Sequence, residues 1–365
     1  MTNEMTELGR SWINGTNFRP AREVEIKYGS GLIKSESDKW PPYIMVTTKT
    51  SGKNAGEFLS SDPLGIGTVN MLDWAHLDEV SNSLPDAELV IGFGGGTALD
   101  ASKYEALKKD LPLRLVPSIV STGAIIHGMF AKWKGRSTVG QVDQWPYCDF
   151  EHVLVDYDLV LKSPWYLNSA GIGDVLCMGS DFNEWKYLSS FSKPGEKPIF
   201  PPVDEKLIGP AREYLESLVE KFPETLDHEG NFSNETVKFI MNSIHERDDR
   251  MVKSEYMTGA GHSMTQAIES ILNRGGLIHG EMAALGAVIV EFACGEDTAQ
   301  IENMLEVCKV RYRPNDIGIT NEEFKKVLEN LSKFYSSGKK SSVLSVNPLD
   351  REKQIELCEI LKVGV

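Results

Sequence analysis

The stretch VIGFGGGTALDASK, residues 90–103, constrains the fold more than any other part of this chain. An apolar run ends there in three glycines and continues as an amphipathic segment, which predicts a strand, a tight turn and a helix capped by Thr97. Glycines at such a turn let the backbone approach an anion, and the first N–H groups of the helix face that anion. A turn can also need glycines for steric reasons alone, and GGGT is not the G-x-G-x-x-G fingerprint. Phosphate binding and a purely steric turn therefore both remain open.

The chain around this stretch alternates strand-like and helix-like segments. Strands rich in Val, Ile and Leu are predicted over 42–48, 88–93, 113–119 and 152–160, and helices over 77–84 and 97–110. Strands that alternate with helices predict a parallel sheet covered on both faces, with its ligand crevice at the carboxyl ends of the strands. The predicted class of this part is an α/β, Rossmann-like parallel-sheet domain.

Beyond residue 162 the strand signal disappears. Ser163 followed by Pro164 predicts a helix start, because a capping side chain precedes a residue that lacks the N–H. Helical patterns then recur over 206–222, 234–247, 253–272, 281–292, 300–310, 321–334 and 350–361, around a proline-rich loop at 192–205. A chain of 365 residues exceeds the usual domain size of roughly 100 to 200 residues, so we predict an α/β domain over 1–162 and an all-α domain over 163–365.

The composition excludes several partners and compartments. A net charge of −15 argues against nucleic acid and anionic membranes, which need clustered Lys and Arg. Five cysteines without a CxxC pair indicate neither a disulfide framework nor a thiolate zinc site. The segment MTNEMTELGRSWING lacks the apolar core of a signal peptide. We therefore expect a cytoplasmic protein that spans no membrane.

Three residues of the helical half are candidate metal ligands. Asp174 follows a predicted Gly-Ile-Gly turn and opens an otherwise apolar helix, while His262 and His279 lie in the glycine-flanked contexts GAGH and HGE. An Asp and two imidazoles with a fourth position left open are typical of a catalytic zinc or ferrous site. Taken singly, Asp174 is also explained as a helix cap, and either histidine as a packed or surface residue.

The end of the first predicted strand bears on the choice of cofactor. NAD-specific sites usually place Asp or Glu there to hold the ribose 2′-OH, and an acid repels a 2′-phosphate. This chain instead reads VTTKTSGK, with Thr48, Lys49 and Lys53. The sequence therefore predicts that NADP is accepted as well as NAD, unless the lysines are only solvated loop residues.

Taken together and in order, the motifs resemble those of a superfamily of iron-containing alcohol dehydrogenases, glycerol dehydrogenases, glycerol-1-phosphate dehydrogenases and dehydroquinate synthases. The matching pieces lie between residues 42 and 286: GGGTALDASK, VPSIVSTGA, VDYDLVLKSPWYLNSAGIGD, NEW, GHSMTQAIE and HGEMAALG. The spacing from Asp174 to Glu184 and Trp185, together with the HGE at His279, is most similar to the glycerol-1-phosphate and glycerol dehydrogenase branches.

The resemblance implies a dinucleotide-binding first domain, a metal- and substrate-binding second domain, and an active site in the cleft between them. It implies one divalent ion on Asp174, His262 and His279, which is zinc in the polyol branches and iron in the alcohol branch. It assigns NAD or NADP to Thr48, Gly94, Gly95, Gly96, Thr97, Ala98, Ser118, Ser121, Thr122, His127, Met129 and Trp133. The implied enzyme is a homo-oligomer that transfers a hydride between the cofactor and a small polyol, polyol phosphate or alcohol.

Two positions depart from the superfamily's pattern. Gly123 stands where glycerol and glycerol-1-phosphate dehydrogenases carry an Asp that contacts substrate, which puts glycerol itself in doubt. Gln266 stands one turn after His262, where many members carry another His. Gln266 shares the face of His262 and can hydrogen-bond a substrate oxygen, but it cannot relay a proton at neutral pH. A catalytic relay, if there is one, then falls to His127, which otherwise packs beside the cofactor.

Two other functions remain open. The dehydroquinate synthase branch also binds NAD and zinc, uses the hydride step transiently and depends on basic residues. Lys132, Lys134 and Arg136 are available for that role, unless they form a solvated turn. Alternatively, a catalytically degenerate member would bind nucleotide without turnover, through the changes at Gly123 and Gln266.

Overall fold

The computed structural model describes residues 24–130, 133–134, 137–138, 147–192, 200–252, 259–337 and 342–364. The chain divides into two compact units, Met1–Pro164 and Trp165–Val365. This division falls close to the boundary predicted at residue 162, and the roles assigned to the two domains stay predictions. Among the described residues, no helix has the length and apolar character needed to cross a membrane.

A parallel sheet forms the centre of the first unit. Its strands are β1 (Glu25–Gly29), β2 (Tyr43–Thr48), β3 (Gly65–Val69), β4 (Leu89–Gly94), β5 (Leu113–Pro117) and, after the short strands β6 (Trp133–Lys134) and β7 (Ser137–Thr138), β8 (His152–Asp156). The six strands of this sheet lie in the order β1-β8-β5-β4-β2-β3, and every pairing is parallel. β6 and β7 pair separately as an antiparallel ribbon. The predicted α/β class is confirmed.

Helices cover both faces of this sheet. They are α1 (Leu32–Ser37), α2 (Lys49–Phe58), α3 (Trp74–Ser83), α4 (Gly96–Lys109) and α5 (Tyr157–Lys162). Tyr43 and Phe93 lie in one apolar cluster with Ile33 of α1 and Ala55 of α2. On the opposite face α4 packs very closely, because a Cβ at Gly92 would lie 2.2 Å from Ser102 Oγ.

Strand β3 was missed in the sequence because its segment, GIGTV, contains two glycines. Glycine is unfavourable in a strand unless another element comes close. Here α3 and the residues that follow it do so: a Cβ at Gly65 would lie 2.5 Å from Pro85 Cδ, and one at Gly67 would lie 2.8 Å from Val80 Cγ1. Close packing in this region therefore explains why the strand contains glycines. Because of these glycines, strand propensity alone does not predict β3.

The strand predicted over 152–160 is wrong in its second half. β8 ends at Asp156, and α5 begins at Tyr157. The Asp156 carboxylate accepts hydrogen bonds from the backbone N–H of Asp158 and of Ile33. A buried capping aspartate thus converts an apolar, strand-like run into a strand followed by a helical turn.

Helix α4 begins without a side-chain cap. Its N-cap residue is Gly95, and Thr97 already lies in the first turn. The predicted cap at Thr97 is therefore wrong. No side chain occupies the capping position at the start of this helix, which suits an external acceptor.

The second unit is helical throughout the part that the structure describes, as predicted. Its helices are α6 (Trp165–Ser190), α7 (Glu205–Lys221), α8 (Asn234–Val252), α9 (Ala260–Leu272), α10 (His279–Cys294), α11 (Thr298–Val307), α12 (Asn321–Ser337), α13 (Val343–Val346) and α14 (Arg351–Ile360). The first residues of the helix predicted over 253–272, and most of the proline-rich loop at 192–205, lie outside the described residues.

Asp174 lies in the middle of α6 and does not open it. Gly171 and Gly173 are helical, so the predicted Gly-Ile-Gly turn is wrong, and the reading of Asp174 as a helix cap is wrong with it. Gly173 instead allows α10 to come close, since a Cβ there would lie 2.6 Å from the backbone oxygen of Gly280. A glycine pattern that is typical of turns here allows two helices to cross closely.

Candidate functional site

The first candidate site lies at the carboxyl ends of β2 and β4. These strands are neighbours in the sheet, although β3 lies between them in sequence and pairs on the other side of β2. Such a change of direction creates a crevice at the strand ends, where open α/β sheets bind ligands. Thr48 is the last residue of β2 and Gly94 the last of β4.

The three glycines of this site are each needed by the protein's own packing. Gly94 has a φ of +148°, which L side chains rarely adopt. A Cβ at Gly95 would lie 3.1 Å from Ile119 Cδ1, and one at Gly96 would lie 2.9 Å from Thr122 Cγ2. Steric demand therefore accounts for the glycines without a ligand, and their binding of a pyrophosphate stays a prediction.

Hydroxyl groups from three segments meet beside these glycines. Thr48 Oγ1 accepts a hydrogen bond from the N–H of Ser51 (3.4 Å) and lies 3.2 Å from Ser51 Oγ. Ser51 Oγ lies 3.4 Å from Ser118 Oγ, and the N–H of Ser118 donates to the oxygen of Gly94 (3.0 Å). The structure thus brings together Thr48, Gly94 and Ser118, together with Ser51, which sequence reasoning missed.

Lys103 fixes the segment that carries two further predicted cofactor residues, His127 and Met129. Its side chain is fully buried, and Nζ donates to Asp100 Oδ1 (2.8 Å) and to the backbone oxygens of Ala124 (2.8 Å) and Met129 (3.4 Å). Lys103 therefore ties α4 to the segment from residue 124 to residue 129. Lys103 therefore has a structural role in holding this segment and no direct role in catalysis.

His127 lies in this tied segment. Its Nδ1 is 3.1 Å from the backbone oxygen of Met129. A carbonyl can only accept, so Nδ1 carries the proton and Nε2 is the acceptor nitrogen of the neutral ring. Of the other predicted residues, Ser121 is buried, Thr97 and Ala98 lie in the first turn of α4, and only the backbone of Trp133 is described.

The second candidate site gathers the three predicted metal ligands. Asp174 Oδ1 lies 3.3 Å from His262 Nδ1 and 3.1 Å from His279 Nε2. Ligand atoms on a tetrahedral zinc ion, each about 2.0–2.2 Å from it, lie about 3.3–3.6 Å from one another. Asp174 Oδ1, on α6, therefore lies at nearly the spacing of one coordination sphere from a nitrogen of His262 on α9 and from a nitrogen of His279 on α10.

The hydrogen bonds of His279 suit a metal ligand. Thr265 Oγ1 donates to the backbone oxygen of His279 (3.3 Å) and lies 3.0 Å from His279 Nδ1. When that hydroxyl donates to the carbonyl, it accepts from Nδ1, and Nε2 then presents its lone pair to the Asp174 oxygen. In this tautomer the two acceptors, 3.1 Å apart, need a shared cation, a proton or a metal ion. The donor set therefore fits a divalent ion.

Each ligand is adjacent in sequence to a glycine at a helix crossing. Gly173 and Gly280 bring α6 and α10 together, and a Cβ at Gly280 would lie 1.7 Å from the backbone oxygen of Ala170. At Gly261, which precedes His262, a Cβ would lie 2.7 Å from Ser180 Oγ of α6. Because these helices pack closely, side chains from α6, α9 and α10 meet at the candidate metal site.

The Asp174 carboxylate is buried, and the imidazoles are partly exposed. The side chain of Asp174 is 1% exposed, whereas those of His262 and His279 are 25% and 32% exposed. An ion held here would therefore have an accessible side for a further ligand. Burial alone would raise the pKa of Asp174, but the adjacent positive charge of Arg247 is the largest opposing effect, and that pKa lies well below its usual value. Asp174 is thus an anion ready to bind a cation.

Cys177, one turn after Asp174, lies within ligand distance of the same site and was missed in the sequence. Its Sγ is 3.8 Å from His262 Nδ1, and single donor atoms of Asp174, Cys177 and His262 all lie within 4.8 Å of one another. The thiol also donates to the backbone oxygen of Asp174 (3.1 Å), and burial raises its pKa well above the usual range. Cys177 therefore stands as a neutral thiol beside the three predicted ligands.

Glu184, the acid of the NEW motif, supports the candidate metal site through its hydrogen bonds. Glu184 accepts hydrogen bonds from the N–H of Ala260 (2.7 Å), the first residue of α9, and from the hydroxyl of Ser342 (2.8 Å) and the N–H of Val343 (2.8 Å). A carboxylate at two helix starts is favourable because it meets free N–H groups. Glu184 thereby fixes the end of α9 that carries His262.

Two further residues of the matching motifs lie on α9 and α10. Glu281, of the HGE motif, accepts a hydrogen bond from Arg311 Nε (2.7 Å), and the Arg311 guanidinium stacks on the ring of Tyr166. Gln266 is exposed on α9. Its predicted contact with substrate stays a prediction, and Lys132 and Arg136 lie outside the described residues.

Comparison with known proteins gives no matching family model. The glycerol-1-phosphate dehydrogenase (NAD(P)+) of Saccharolobus solfataricus is 24% identical over 321 residues, which cover 83% of this chain and 85% of that protein. The enzyme of the same name from Methanosphaera stadtmanae is 22% identical over 310 residues, which cover 82% of this chain and 85% of that protein.

Solved structures with the same fold include several dehydrogenases. A probable glycerol dehydrogenase from Sinorhizobium meliloti superposes with a TM-score of 0.63 at 17% identity, over 94% of this chain and 99% of the other. The glycerol dehydrogenase of Schizosaccharomyces pombe gives a TM-score of 0.59 at 17% identity, over 95% and 90%. A Red Sea brine pool alcohol dehydrogenase gives 0.58 at 15% identity, over 95% and 99%. The predicted fold and the resemblance to this superfamily are confirmed, and the curated relatives are NAD(P)-dependent dehydrogenases.

Proposed function

We propose that the chain is a metal- and NAD(P)-dependent oxidoreductase that interconverts a polyol phosphate, polyol or alcohol and its carbonyl, with glycerol 1-phosphate as the nearest named substrate. The observation that carries the proposal is the convergence of Asp174 Oδ1 with a nitrogen of His262 and one of His279 at 3.3 and 3.1 Å. The curated relatives, named glycerol-1-phosphate dehydrogenases, support the substrate class.

Asp174, His262 and His279 would hold the divalent ion, and we propose zinc, as in the polyol branches that the sequence most resembles. When bound, such an ion acts as a Lewis acid that lowers the pKa of a substrate hydroxyl. The residues of the chain position the ligands and leave access for substrate. Thr265 hydrogen-bonds the His279 ring, and Glu184 fixes the start of α9. The partly exposed imidazoles leave an approach for substrate.

Residues at the carboxyl ends of β2, β4 and β5 would hold the cofactor. The uncapped start of α4 offers the N–H groups of Gly96 and Thr97 to a pyrophosphate, next to Ala98, and Thr48 and Ser118 offer hydroxyls beside it. Lys103 keeps the segment with His127 and Met129 in place. That this site faces the metal site across a cleft, and that the enzyme is a cytoplasmic homo-oligomer, stay predictions.

NADP is expected to serve as well as NAD. β2 ends in Thr48 and no acid follows it, while Lys49 and Lys53 are exposed in α2. Steady-state kinetics should give comparable kcat/KM with the two cofactors. The double variant Lys49→Glu/Lys53→Glu should lose NADP efficiency roughly 10-fold and keep NAD efficiency, because it places acid beside the 2′-phosphate. Lys34→Glu, an exposed change in α1, is the control. Strict NAD preference of the wild type would sink this assignment.

His127 is expected to relay a proton. With Nδ1 bound to Met129, the ring has an acceptor at Nε2. His127→Ala should lower kcat about 100-fold and change the shape of the pH–rate profile. His152→Ala, which removes a histidine paired with Glu25 in the same unit, should leave the profile unchanged. An unchanged profile in His127→Ala would show that His127 only packs.

A steady-state screen separates this function from its alternatives. The purified protein is assayed with polyols, polyol phosphates, aldehydes and phosphorylated aldehydes, with NAD(H) and NADP(H), and its metal content is measured. Net change in the absorbance of the reduced nicotinamide supports the dehydrogenase. Product formed without net change in cofactor would favour a dehydroquinate synthase-like reaction. Bound cofactor and metal with no product would favour a catalytically degenerate protein.

A further inference from the structure

We propose that Arg247 is a positioning residue of the metal site, which holds one oxygen of the Asp174 carboxylate so that the other is presented to the ion with His262 and His279. The inference rests on the metal site of the proposed function. Arg247 belongs to the charged run HERDD and lies two residues after the exposed His245. The run looks solvated in the sequence, but Arg247 is only 3% exposed.

The guanidinium is fully engaged with protein groups. Nη1 contacts Asp174 Oδ2 at 2.8 Å and donates to the Asp174 backbone oxygen at 3.0 Å. Nε and Nη2 both contact Asp248 Oδ1, at 2.7 and 2.6 Å. Each nitrogen therefore has an acceptor within the protein. Arg247 is committed to orienting Asp174, and substrate binding is not open to it in this arrangement.

These contacts divide the Asp174 carboxylate between two tasks. Oδ2 and the backbone oxygen belong to Arg247, whereas Oδ1 faces both imidazoles. Because the same guanidinium nitrogen contacts both the carboxylate and the backbone oxygen of Asp174, the carboxylate cannot rotate without losing its 2.8 Å ion-pair contact with Arg247. We therefore expect Asp174 to bind an ion through Oδ1 alone.

The charge of Arg247 does not by itself favour a metal ion, since like charges repel. Asp248 cancels that charge, and the Arg247–Asp248 pair is neutral as a unit. The contribution of the pair to metal binding is therefore the orientation of Asp174. Loss of groups that orient metal ligands typically weakens metal binding about 10- to 100-fold.

The double variant Arg247→Met/Asp248→Asn tests this, because it removes the neutral pair without changing the net charge. Zn²⁺ alone is titrated into metal-free protein against a chromophoric chelator, and the visible spectrum of bound Co²⁺ reports the ligand geometry. We expect the zinc Kd to rise about 10- to 100-fold, with a changed Co²⁺ spectrum. Arg274→Met, which removes an arginine paired with Glu323 beyond the end of α9, should change neither.

Arg247→Lys provides a second test if the double variant does not fold. Lysine keeps the charge but has one nitrogen, which cannot reproduce the planar fork that spans Asp174 and Asp248. Its zinc Kd should also rise. Wild-type affinity and a wild-type Co²⁺ spectrum in a folded Arg247 variant would overturn the inference. Failure of the wild type itself to bind zinc would instead overturn the proposed metal site.

Discussion

Asp174→Asn is expected to lower kcat/KM about 1,000-fold or more and to abolish zinc binding. Lewis acidity is worth several kcal/mol in the transition state, and each 1.36 kcal/mol is tenfold in rate. The amide keeps the shape of the side chain but removes the charge that two imidazoles and Arg247 face. Either orientation of the amide puts an NH₂ group toward the Arg247 guanidinium or toward the ligand nitrogens. Metal content and initial rates are the measurements.

The control for this variant separates chemistry from folding. Asp204→Asn weakens an exposed helix cap at the start of α7 in the same unit and leaves the candidate site untouched. It should cost about 1 kcal/mol of stability at most and leave kcat/KM unchanged. Asp174→Asn that retains stoichiometric zinc, with activity within about tenfold of wild type, would remove Asp174 from the ligand set.

Two glycine-to-alanine changes in α6 are expected to act in opposite directions. At Gly173 a Cβ would lie 2.6 Å from the backbone oxygen of Gly280 and 2.8 Å from Val310 Cγ1, so α6 and α10 must separate. Such overpacking costs about 1–3 kcal/mol. At Gly179 the nearest atom is Leu215 Cδ1 at 3.5 Å, an ordinary contact, and alanine in a helix is favoured by roughly 0.5–1 kcal/mol. Thermal or urea unfolding should show Gly173→Ala less stable than wild type and Gly179→Ala equally or more stable.

The same pair tests how the metal site is built. Gly173 precedes Asp174, and Gly280 follows His279, so moving the two helices apart moves two ligands apart. A metal site tolerates ligand displacements of only about 0.2 Å. Gly173→Ala should therefore bind zinc at least tenfold more weakly, by the scale of changes that disturb ligand support. Gly173→Ala that is as stable as Gly179→Ala and binds zinc like wild type would contradict the account of the helix crossing.

Much of the fold could be predicted from the sequence, because hydrophobic periodicity reports it. The runs that became β2, β4 and β5 are rich in Val, Ile, Leu and other apolar residues, and the helical half repeats an amphipathic pattern. The missed or shortened elements have local physical reasons. The glycines of β3 serve the packing of the region around α3, and Asp156 ends β8 early by capping α5.

The sequence singled out the three candidate ligands, but it did not reveal their structural setting. Asp174, His262 and His279 stand out by residue type and motif order, and the structure brings them together. The Gly-Ile-Gly pattern did not reveal that Asp174 lies within a helix, because close helix crossing and tight turns both require glycine. Arg247 was hidden in a run of charges. The pattern that indicates its burial is its position three residues after Ile244, where Arg247 continues the buried face of α8.

The central claim is tested most directly by assaying metal-free protein during titration with Zn²⁺. The substrate is glycerone phosphate, the ketone that corresponds to glycerol 1-phosphate, and the cofactor is NADPH or NADH. We predict that cofactor oxidation rises with zinc occupancy, saturates at one ion per chain and matches the glycerol phosphate formed. Zinc-saturated, folded protein that oxidises no cofactor with this or any other carbonyl substrate of the screen, or a rate independent of zinc, would contradict the account.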